Sequence, residues 1–263
     1  MNILVCIKQV PDMAARFTLN RDGTWFTDDG LVFRMNDCDE YAVEEAVRLK
    51  EQLGGTPEVI ALSIGPGRVV ETIRKALAMG CDRGVHIDDP SASERDPWQI
   101  ASMIADHAMS RQYDIVFTGM QSEDRGSAQV GVLVAERMGI SCVTGMIGFE
   151  FLDGIVTAER ELEGGRRGIT KLKVPGLLTC QQGLNTPRYP TLPNIMKSKK
   201  KEISVLRPEV FGLESPLSSV AGFRHHERKP AGLVLQGEAG DLAEQVVALL
   251  ESKTMVIRRG GAR

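Results

Sequence analysis

The sequence TGMQSEDRGSAQVG, residues 118–131, has the composition of a loop that binds a phosphate group. It follows an apolar run typical of a buried strand and precedes an apolar pattern typical of a helix. Small residues would let backbone N–H groups approach a phosphate, and the N-terminus of a helix favours negative charge. We expect Ser127 to cap that helix and to contact the ligand. The small residues are Gly119, Gly126, Ser127, Ala128 and Gly131.

This loop is neither a Walker A sequence nor a GxGxxG fingerprint, so a glycine-rich turn with a capped helix is an equal alternative. Its acidic residues, Glu123 and Asp124, would repel a phosphate if they pointed inward. We therefore expect them to hold a ribose, a backbone amide or the neighbouring Arg125.

A second candidate is MNDCDE, residues 35–40. Asn36 and Asp37 carry short polar side chains, which suit the edge of an adenine or the cap of a helix. The residues alone favour capping, by Asp37 or Asp39.

The sequence lacks the patterns of covalent catalysis. It contains no GxSxG, no HExxH and no paired carboxylates on a plausible catalytic loop. The five cysteines are scattered without a CxxC pair, which argues against a zinc site or a disulfide framework. The adjacent His225 and His226 are predicted to be a surface pair. These features favour binding or carrying over catalysis.

Apolar runs that alternate with helical patterns must position these loops. The alternation predicts a parallel sheet covered by helices on both faces, with ligands at the carboxyl ends of its strands. Three segments should therefore converge: residues 6–12, 64–67 and 119–131. Gly54 and Gly55 should end the first helix, and Glu71 should pair with Lys75 in the second. The predicted strands are 2–7, 58–63, 84–87 and 114–119, and the predicted helices are 39–53, 69–80, 97–111 and 127–138.

The second half of the chain has a different pattern. Alternating residues from about Gly148, with turns near 153–154 and 164–165, predict a β-hairpin excursion that returns to a buried strand at 176–180. Residues 212–240 resemble an extended arm that lies on something else, followed by one more helix. We divide the chain into a nucleotide-binding α/β domain, 1–205, and a C-terminal arm and helix, 206–263.

Composition limits the partners and the compartment. With a formal net charge of −3 over 263 residues, the chain is unsuited to general nucleic-acid binding. No apolar run approaches the ~20 residues of a membrane span, and no secretory signal pattern opens the chain. We expect a cytoplasmic protein without direct membrane insertion.

Several of these segments together resemble the beta subunit of electron transfer flavoprotein. The resemblance covers nearly the whole chain and is strongest over residues 1–205. It implies a Rossmann-like (adenine nucleotide alpha hydrolase-like) α/β fold: a parallel sheet with a β-hairpin excursion and an extended C-terminal arm. The matching segments are LVCIKQVPD, MN–CDEYAVEEAVRLKE, VIALSIGP, ETIRKALAMGCDRGVHI, TGMQSED–AQVG and LNTPRYPTLPNIMKSKKK.

The resemblance implies a heterodimer with an alpha subunit, which carries the redox-active FAD near the interface. Residues 206–263 would pack on that subunit. In conventional members the beta subunit binds AMP, and in electron-bifurcating, NADH-oxidising members a second FAD takes the same site. KQVPD and SAQVG resemble the bifurcating members, whereas LNTPRYPTLPNIMKSKKK resembles the conventional ones. Arg125 replaces a glycine that is common in the bifurcating loop, where a larger side chain could crowd a pyrophosphate; we favour AMP. Phosphate contacts should lie on residues 126–131. The implied nucleotide contacts are Cys6, Asn36, Asp37, Cys38, Asp39, Ile64, Gly119, Asp124, Arg125, Gly126, Ser127, Ala128, Gln129, Val130, Gly131 and Val134.

The resemblance also implies that residues 182–201 dock partner dehydrogenases, of the acyl-CoA type used in fatty acid beta-oxidation. The electrons would then pass to a membrane quinone oxidoreductase. Leu184 would act as an apolar knob on a segment kept extended by Pro187 and Pro190, and lysines 197 and 199–201 would steer it towards an acidic surface. A solvated basic linker is the alternative. The implied docking residues are Leu184, Pro187, Arg188, Tyr189, Leu192, Ile195, Met196 and Lys197.

Overall fold

The structure is a computed structural model that describes residues 1–212, 214–224 and 232–253. The chain divides into two compact units, of which the first is Met1–Phe223 and the second begins at Arg224. The first unit therefore extends beyond residue 205, and the predicted division into domains stays a prediction. His225 and His226 lie outside the described residues.

The first unit is built on a large, mostly parallel sheet, which confirms the α/β class. Within the described residues its strand order is β11-β5-β4-β1-β6-β10-β7-β8-β9, and pairing is parallel from β11 to β7 and antiparallel beyond. The strands of this sheet are β1 (Asn2–Cys6), β4 (Glu58–Gly65), β5 (Arg83–Asp88), β6 (Ile115–Gly119), β7 (Ser141–Leu152), β8 (Ile155–Leu162), β9 (Arg166–Lys173), β10 (Gly176–Cys180) and β11 (Ile203–Leu206).

Helices cover both faces of this sheet. Ile3 and Val5 of β1 face one core cluster, with residues of α1 and α2, whereas Leu4 faces a second cluster, with residues of α3 and α4. Neighbouring residues of a strand point to opposite faces, so the continuous apolar run of β1 reflects burial on both sides. The helices are α1 (Asp37–Gln52), α2 (Val69–Met79), α3 (Pro97–Met109), α4 (Val130–Met138), α5 (Leu192–Ser198) and α6 (Ala239–Lys253).

The strand order reverses at β1. From β1 the chain proceeds to β4 and β5 on one side, and then crosses to β6 on the other side. Such a reversal opens a crevice at the carboxyl ends of the strands, where open α/β sheets bind ligands. The alternation of strands and helices predicted this edge correctly.

The β-hairpin excursion is present. β7 continues past the parallel sheet into antiparallel pairing with β8, which pairs with β9 before β10 returns between β6 and β7. The predicted turns lie between β7 and β8 and between β8 and β9, where Asp153, Gly154, Gly164 and Gly165 all have positive φ.

Two short strands were not predicted. β2 (Gln9–Pro11) and β3 (Phe33–Met35) pair antiparallel, and residues 12–32 between them form a loop that we call the flap. A bridge between Leu19 and Phe26 folds the flap back on itself. The strand pattern is weak here because each strand has only three residues.

Two details of the helices differ from the prediction. α4 begins at Val130 rather than Ser127, because Ala128 has a positive φ of 53° that no helix allows. Ser127 therefore lies in the loop and does not cap α4. In α2, Lys75 pairs with Glu40 of α1 rather than with Glu71, since the packed neighbouring helix offers a carboxylate within reach.

In the described part of the predicted arm, residues 214–218 bond to the start of α3. Asp96 accepts a hydrogen bond from the Gln99 backbone N–H at the start of α3, and its other oxygen accepts from the N–H groups of Leu217 and Ser218. These bonds hold the pKa of Asp96 below its usual value, against the opposing effect of burial. The arm is thus fastened through its backbone, which needs few apolar residues.

In the second unit, α6 has no buried residue, and Val246 and Val247 are both more than 40% exposed. None of the helices that the structure describes is long and apolar enough to cross a membrane.

Candidate nucleotide-binding site

A cavity of about 310 Å³ lies at the carboxyl ends of β1, β4 and β6. As predicted, the segments that follow these three strands converge there. The cavity is also bordered by the flap and by the loop between β5 and α3, neither of which the sequence analysis included.

Most of the predicted nucleotide contacts line this cavity. Four do not: Asp37, Cys38, Gly126 and Val134. Val134, a residue of α4, is fully buried in the core, and Cys38 is buried at the start of α1. The predicted residues that line the cavity are Cys6, Asn36, Asp39, Ile64, Gly119, Asp124, Arg125, Ser127, Ala128, Gln129, Val130 and Gly131.

Asp39 connects three segments of the site. It does not cap α1; its two carboxylate oxygens accept hydrogen bonds from the backbone N–H of Lys8, at 2.7 Å, and of Gly119, at 3.0 Å. Burial raises the pKa of Asp39 to about 7, although these hydrogen bonds oppose the shift. A Cβ on Gly119 would come within 2.1 Å of the Asp39 carboxylate, so only glycine fits at this point. Asp39 thus positions the ends of β1 and β6.

Asn36 has a similar role. It occupies the N-cap position of α1 without capping it, and its side-chain amide donates to the Gln121 carbonyl at 2.9 Å. Its side-chain oxygen accepts from the Glu123 N–H at 3.0 Å. The expected side-chain cap of α1 is therefore wrong for all three candidates. Asn36 holds the loop after β6, Asp37 pairs with Arg34, and Asp39 bonds to Lys8 and Gly119.

The acidic residues of this loop are paired with cations that the sequence analysis missed. Asp124 is nearly buried and pairs with Lys8 at 2.7 Å, and Glu123 pairs with Arg34 at 3.0 Å. Burial lowers the pKa of Lys8, and the neighbouring Asp124 opposes this shift. The expected pairing of either carboxylate with Arg125 is not found. Both negative charges are neutralised by their partners, so they would not repel an anion in the cavity.

Arg125 crosses from the loop after β6 to two other segments. Its guanidinium lies 4.3 Å from the centroid of the Trp25 ring, in the flap, and donates to the Ser93 carbonyl, between β5 and α3. Burial lowers the pKa of Arg125, and Asp124 opposes that shift. An adjacent cation and aromatic ring are a recognised pair, but only folding brings residues 25 and 125 together.

The start of α4 faces the cavity through Val130 and Gly131. Gly131 is buried, and a Cβ there would come within 2.7 Å of the Thr118 hydroxyl and 2.8 Å of the Thr179 methyl. Its small size lets α4 approach β6 and β10 closely, which aims the free N–H groups of the first helical turn at the cavity. Among the residues that the structure describes, no cluster of His, Cys, Asp or Glu is arranged to hold a metal ion.

The segment 182–201, which we call the docking segment, begins at the same edge of the sheet, after β10. Arg188 anchors it to α1: its guanidinium binds Glu44, at 2.8 Å, and Glu51, at 2.6 Å. Asn185 donates to the Tyr41 carbonyl and to Glu45. Leu184 is half-buried against the core, so it is not a free apolar knob.

The second half of the docking segment is helical rather than extended. α5 starts after Pro190, because Thr191 caps it through a 3.4 Å hydrogen bond from the Asn194 N–H. Of the predicted docking residues, Pro187 is half-buried and Tyr189 is 94% exposed. Leu192, Ile195, Met196 and Lys197 are exposed on α5.

One lysine of the basic cluster is hydrogen-bonded within the fold. The Lys201 ammonium donates to the carbonyl groups of Leu77 and Cys81, where it caps the C-terminus of α2. Lysines 197, 199 and 200 are exposed, so the charge available for steering is smaller than the sequence predicted.

Comparison with known proteins shows the family of this chain. Residues 24–210 match the family model of the electron transfer flavoprotein domain. The chain is 36% identical to the electron transfer flavoprotein subunit beta of Bacillus subtilis, over 98% of this chain and 100% of the relative. It is 41% identical to the human subunit beta, over 81% of this chain and 84% of the relative. The subunit beta of Methylophilus methylotrophus is 32% identical over 82% of each chain.

Proposed function

The chain belongs to the electron transfer flavoprotein family, among its beta subunits, and from this premise we propose that it binds AMP and docks electron donors within a heterodimer. Its function is in electron transfer, and membership implies an alpha subunit as partner. The AMP, the donors and the acceptor are the finer parts of the proposal.

The observation that carries the AMP proposal is the electrostatics of the cavity. The first turn of α4 presents free backbone N–H groups, and Arg125 adds a guanidinium at the rim. Both carboxylates of the adjacent loop are already paired with Lys8 and Arg34. A nucleotide phosphate is the kind of anion that this arrangement favours.

In this proposal the chain's own residues do no redox chemistry. The FAD, held chiefly by the alpha subunit, would carry the electrons. Asp39 and Asn36 position the loops of the cavity, and the start of α4 holds the phosphate. The architectural role follows from the convergence of three strand ends on one ligand.

A second candidate is an electron-bifurcating, NADH-oxidising flavoprotein with FAD in this same cavity. The segments KQVPD and SAQVG, which resemble that branch, support it. Arg125 supports AMP instead, because its side chain spans the rim where a longer dinucleotide would continue.

Docking of flavin-dependent dehydrogenases, such as acyl-CoA dehydrogenases, is proposed for the exposed face of the docking segment. Tyr189, Leu192 and Met196 form an apolar surface beside exposed lysines, and Arg188 holds it in place. A small apolar contact with electrostatic steering gives fast exchange, which a carrier that visits several partners needs. A membrane quinone oxidoreductase would accept the electrons.

The experiment is to denature the native heterodimer and quantify the released nucleotides by chromatography. One FAD and one AMP per heterodimer is the expected result. Two FAD would favour the bifurcating alternative, and one FAD with no further adenine nucleotide would contradict both.

A further inference from the structure

The flap contributes an aromatic wall to the cavity. Trp25 and Phe26 both line it, and their rings stack with centroids 4.5 Å apart. Phe17 packs against Phe26 from within the flap, at 5.0 Å. An aromatic cluster of this kind keeps a loop of 21 residues from behaving as a loose connection.

Three sets of contacts join the flap to other segments. Arg125, from the loop after β6, lies over the Trp25 ring. Phe223, from the arm, meets the edge of the same ring at 5.3 Å, and its N–H donates to the Gly23 carbonyl at 2.5 Å. Arg68, after β4, lies 4.1 Å from the centroid of the Phe33 ring and pairs with Asp28 at 3.2 Å.

The Trp25 ring takes part in two of these three sets of contacts. One neighbour, Arg125, precedes the proposed phosphate-binding residues 126–131, and the other, Phe223, is the last residue of the first compact unit. A displacement of the flap would break the contact of Arg125 with Trp25 and would open the cavity on that side.

We propose that Trp25 is a ligand-enclosing residue and that Arg125 and Phe223 are the positioning residues that keep it closed over the nucleotide. This inference rests on the proposed function, because it assumes that the cavity holds a nucleotide. The clasp formed by these three residues controls the release of the ligand, whereas the first turn of α4 and residues 126–129 before it control its recognition. Removal of the clasp should therefore increase the rate of ligand dissociation, and it should change the free energy of unfolding only slightly.

The test is the exchange of bound AMP in the purified heterodimer. The complex is mixed with an excess of isotopically labelled AMP, and the fraction exchanged is followed by mass spectrometry. Relative to the wild type, Trp25→Ala and Arg125→Ala should each exchange at least tenfold faster, and Phe223→Ala about threefold faster. Trp25→Phe and Arg125→Lys should restore slow exchange, because each keeps an aromatic ring or a cation in the clasp.

Arg167→Ala is the matched control for loss of an arginine, since Arg167 is an exposed residue of β9 that does not line the cavity. It should exchange like the wild type. Thermal unfolding of each variant identifies general loss of structure. If an alanine variant does not fold, Trp25→Leu and Arg125→Gln carry the test, and both are expected to exchange fast.

Exchange within twofold of the wild type in the folded variants that remove the ring or the cation, of both Trp25 and Arg125, would overturn the clasp, while the AMP site would stand. A wild-type heterodimer without AMP would instead overturn the proposed function itself, and the clasp with it. The two failures are therefore distinguishable.

Discussion

The cavity and the docking segment start from the same edge of one sheet but are held in opposite ways. In the cavity, polar side chains such as Asp39 and Asn36 are buried and bond to the backbone of neighbouring loops. In the docking segment, Arg188 and Asn185 anchor one side to α1, and the apolar side chains on the other side are exposed. These two constructions suit the permanent ligand proposed for the cavity and the transient partner proposed for the docking segment.

Because of this difference, stability and function are coupled in the cavity and are separate in the docking segment. Substitutions in the cavity remove hydrogen bonds from buried groups, so they should affect folding and ligand together. Substitutions on the exposed face of the docking segment remove nothing that the fold uses. Each prediction below tests this contrast.

The largest effect should come from pH, through Asp39. Its pKa is about 7 in the folded chain, against 3.8 for an ordinary aspartate, so between these values only the folded state keeps the proton. Its contribution to stability is complete at low pH and is lost as the pH rises through 7. The free energy of unfolding should therefore fall by up to about 4 kcal/mol more in the wild type than in Asp39→Asn across that window.

The measurement is urea unfolding of the heterodimer at several pH values and fixed protein and nucleotide concentrations. Leu192→Ser, in the docking segment, changes no ionisable group and should keep the wild-type pH slope. Equal slopes for the wild type and Asp39→Asn would show that the cavity is not coupled to protons in this way.

Gly119→Ala should give the next largest effect. The new Cβ would lie 2.1 Å from the Asp39 carboxylate and 3.0 Å from the Cys38 side chain, so Asp39 must move and lose hydrogen bonds. We expect a loss of about 3 kcal/mol in the free energy of unfolding, together with reduced nucleotide content. Gly67→Ala is the matched control, because a Cβ there meets nothing within 4 Å. If Gly119→Ala is as stable as this control, the close packing of Asp39 against Gly119 does not contribute to the stability of the fold.

Arg188→Ala tests the anchor of the docking segment. The substitution leaves Glu44, which is nearly buried, without its guanidinium partner. The charge-assisted bonds are partly exposed on the arginine side, so we expect a loss of about 2 kcal/mol in the free energy of unfolding. Arg167→Ala removes an exposed pair with Glu159 and should cost at most about 0.5 kcal/mol. If both variants lose equally little, the anchor is only a surface contact.

The fold was largely predictable because burial leaves strong patterns. The run at residues 2–7 indicated a strand buried on both faces, and the glycines at 54–55 marked the end of the first helix. The converging loops at the carboxyl edge follow from the parallel sheet alone. Strand β11 was missed, because it lies at the edge of the sheet and none of its four side chains is fully buried.

The partners within the site could not be predicted in the same way. Asp39 and Asn36 have the residue types and positions typical of helix caps. Only the approach of β6 gives them other hydrogen-bond donors and acceptors. Lys8 pairs with Asp124 and Arg34 with Glu123, which are about 90 or more positions away in the sequence. A local sequence pattern contains no information on contacts between residues so far apart in the chain. Trp25 was missed because its contacts, Arg125 and Phe223, come from distant segments.

The smallest effect on the fold should come from the exposed face of the docking segment. Leu192 and Met196 lie one helical turn apart on α5, are 76% and 61% exposed, and contribute little to the core. Leu192→Ser with Met196→Ser should therefore change the free energy of unfolding by no more than about 0.5 kcal/mol. The KM for a donor dehydrogenase should rise roughly tenfold, or about 1.4 kcal/mol, since a few apolar side chains carry most of a small interface. Val210→Ser, equally exposed but outside the segment, is the control for lost apolar surface and should leave the KM unchanged. Steady-state transfer assays with an acyl-CoA dehydrogenase decide the matter: an unchanged KM in the double variant would remove this face from donor docking, while the cavity and its nucleotide would be unaffected.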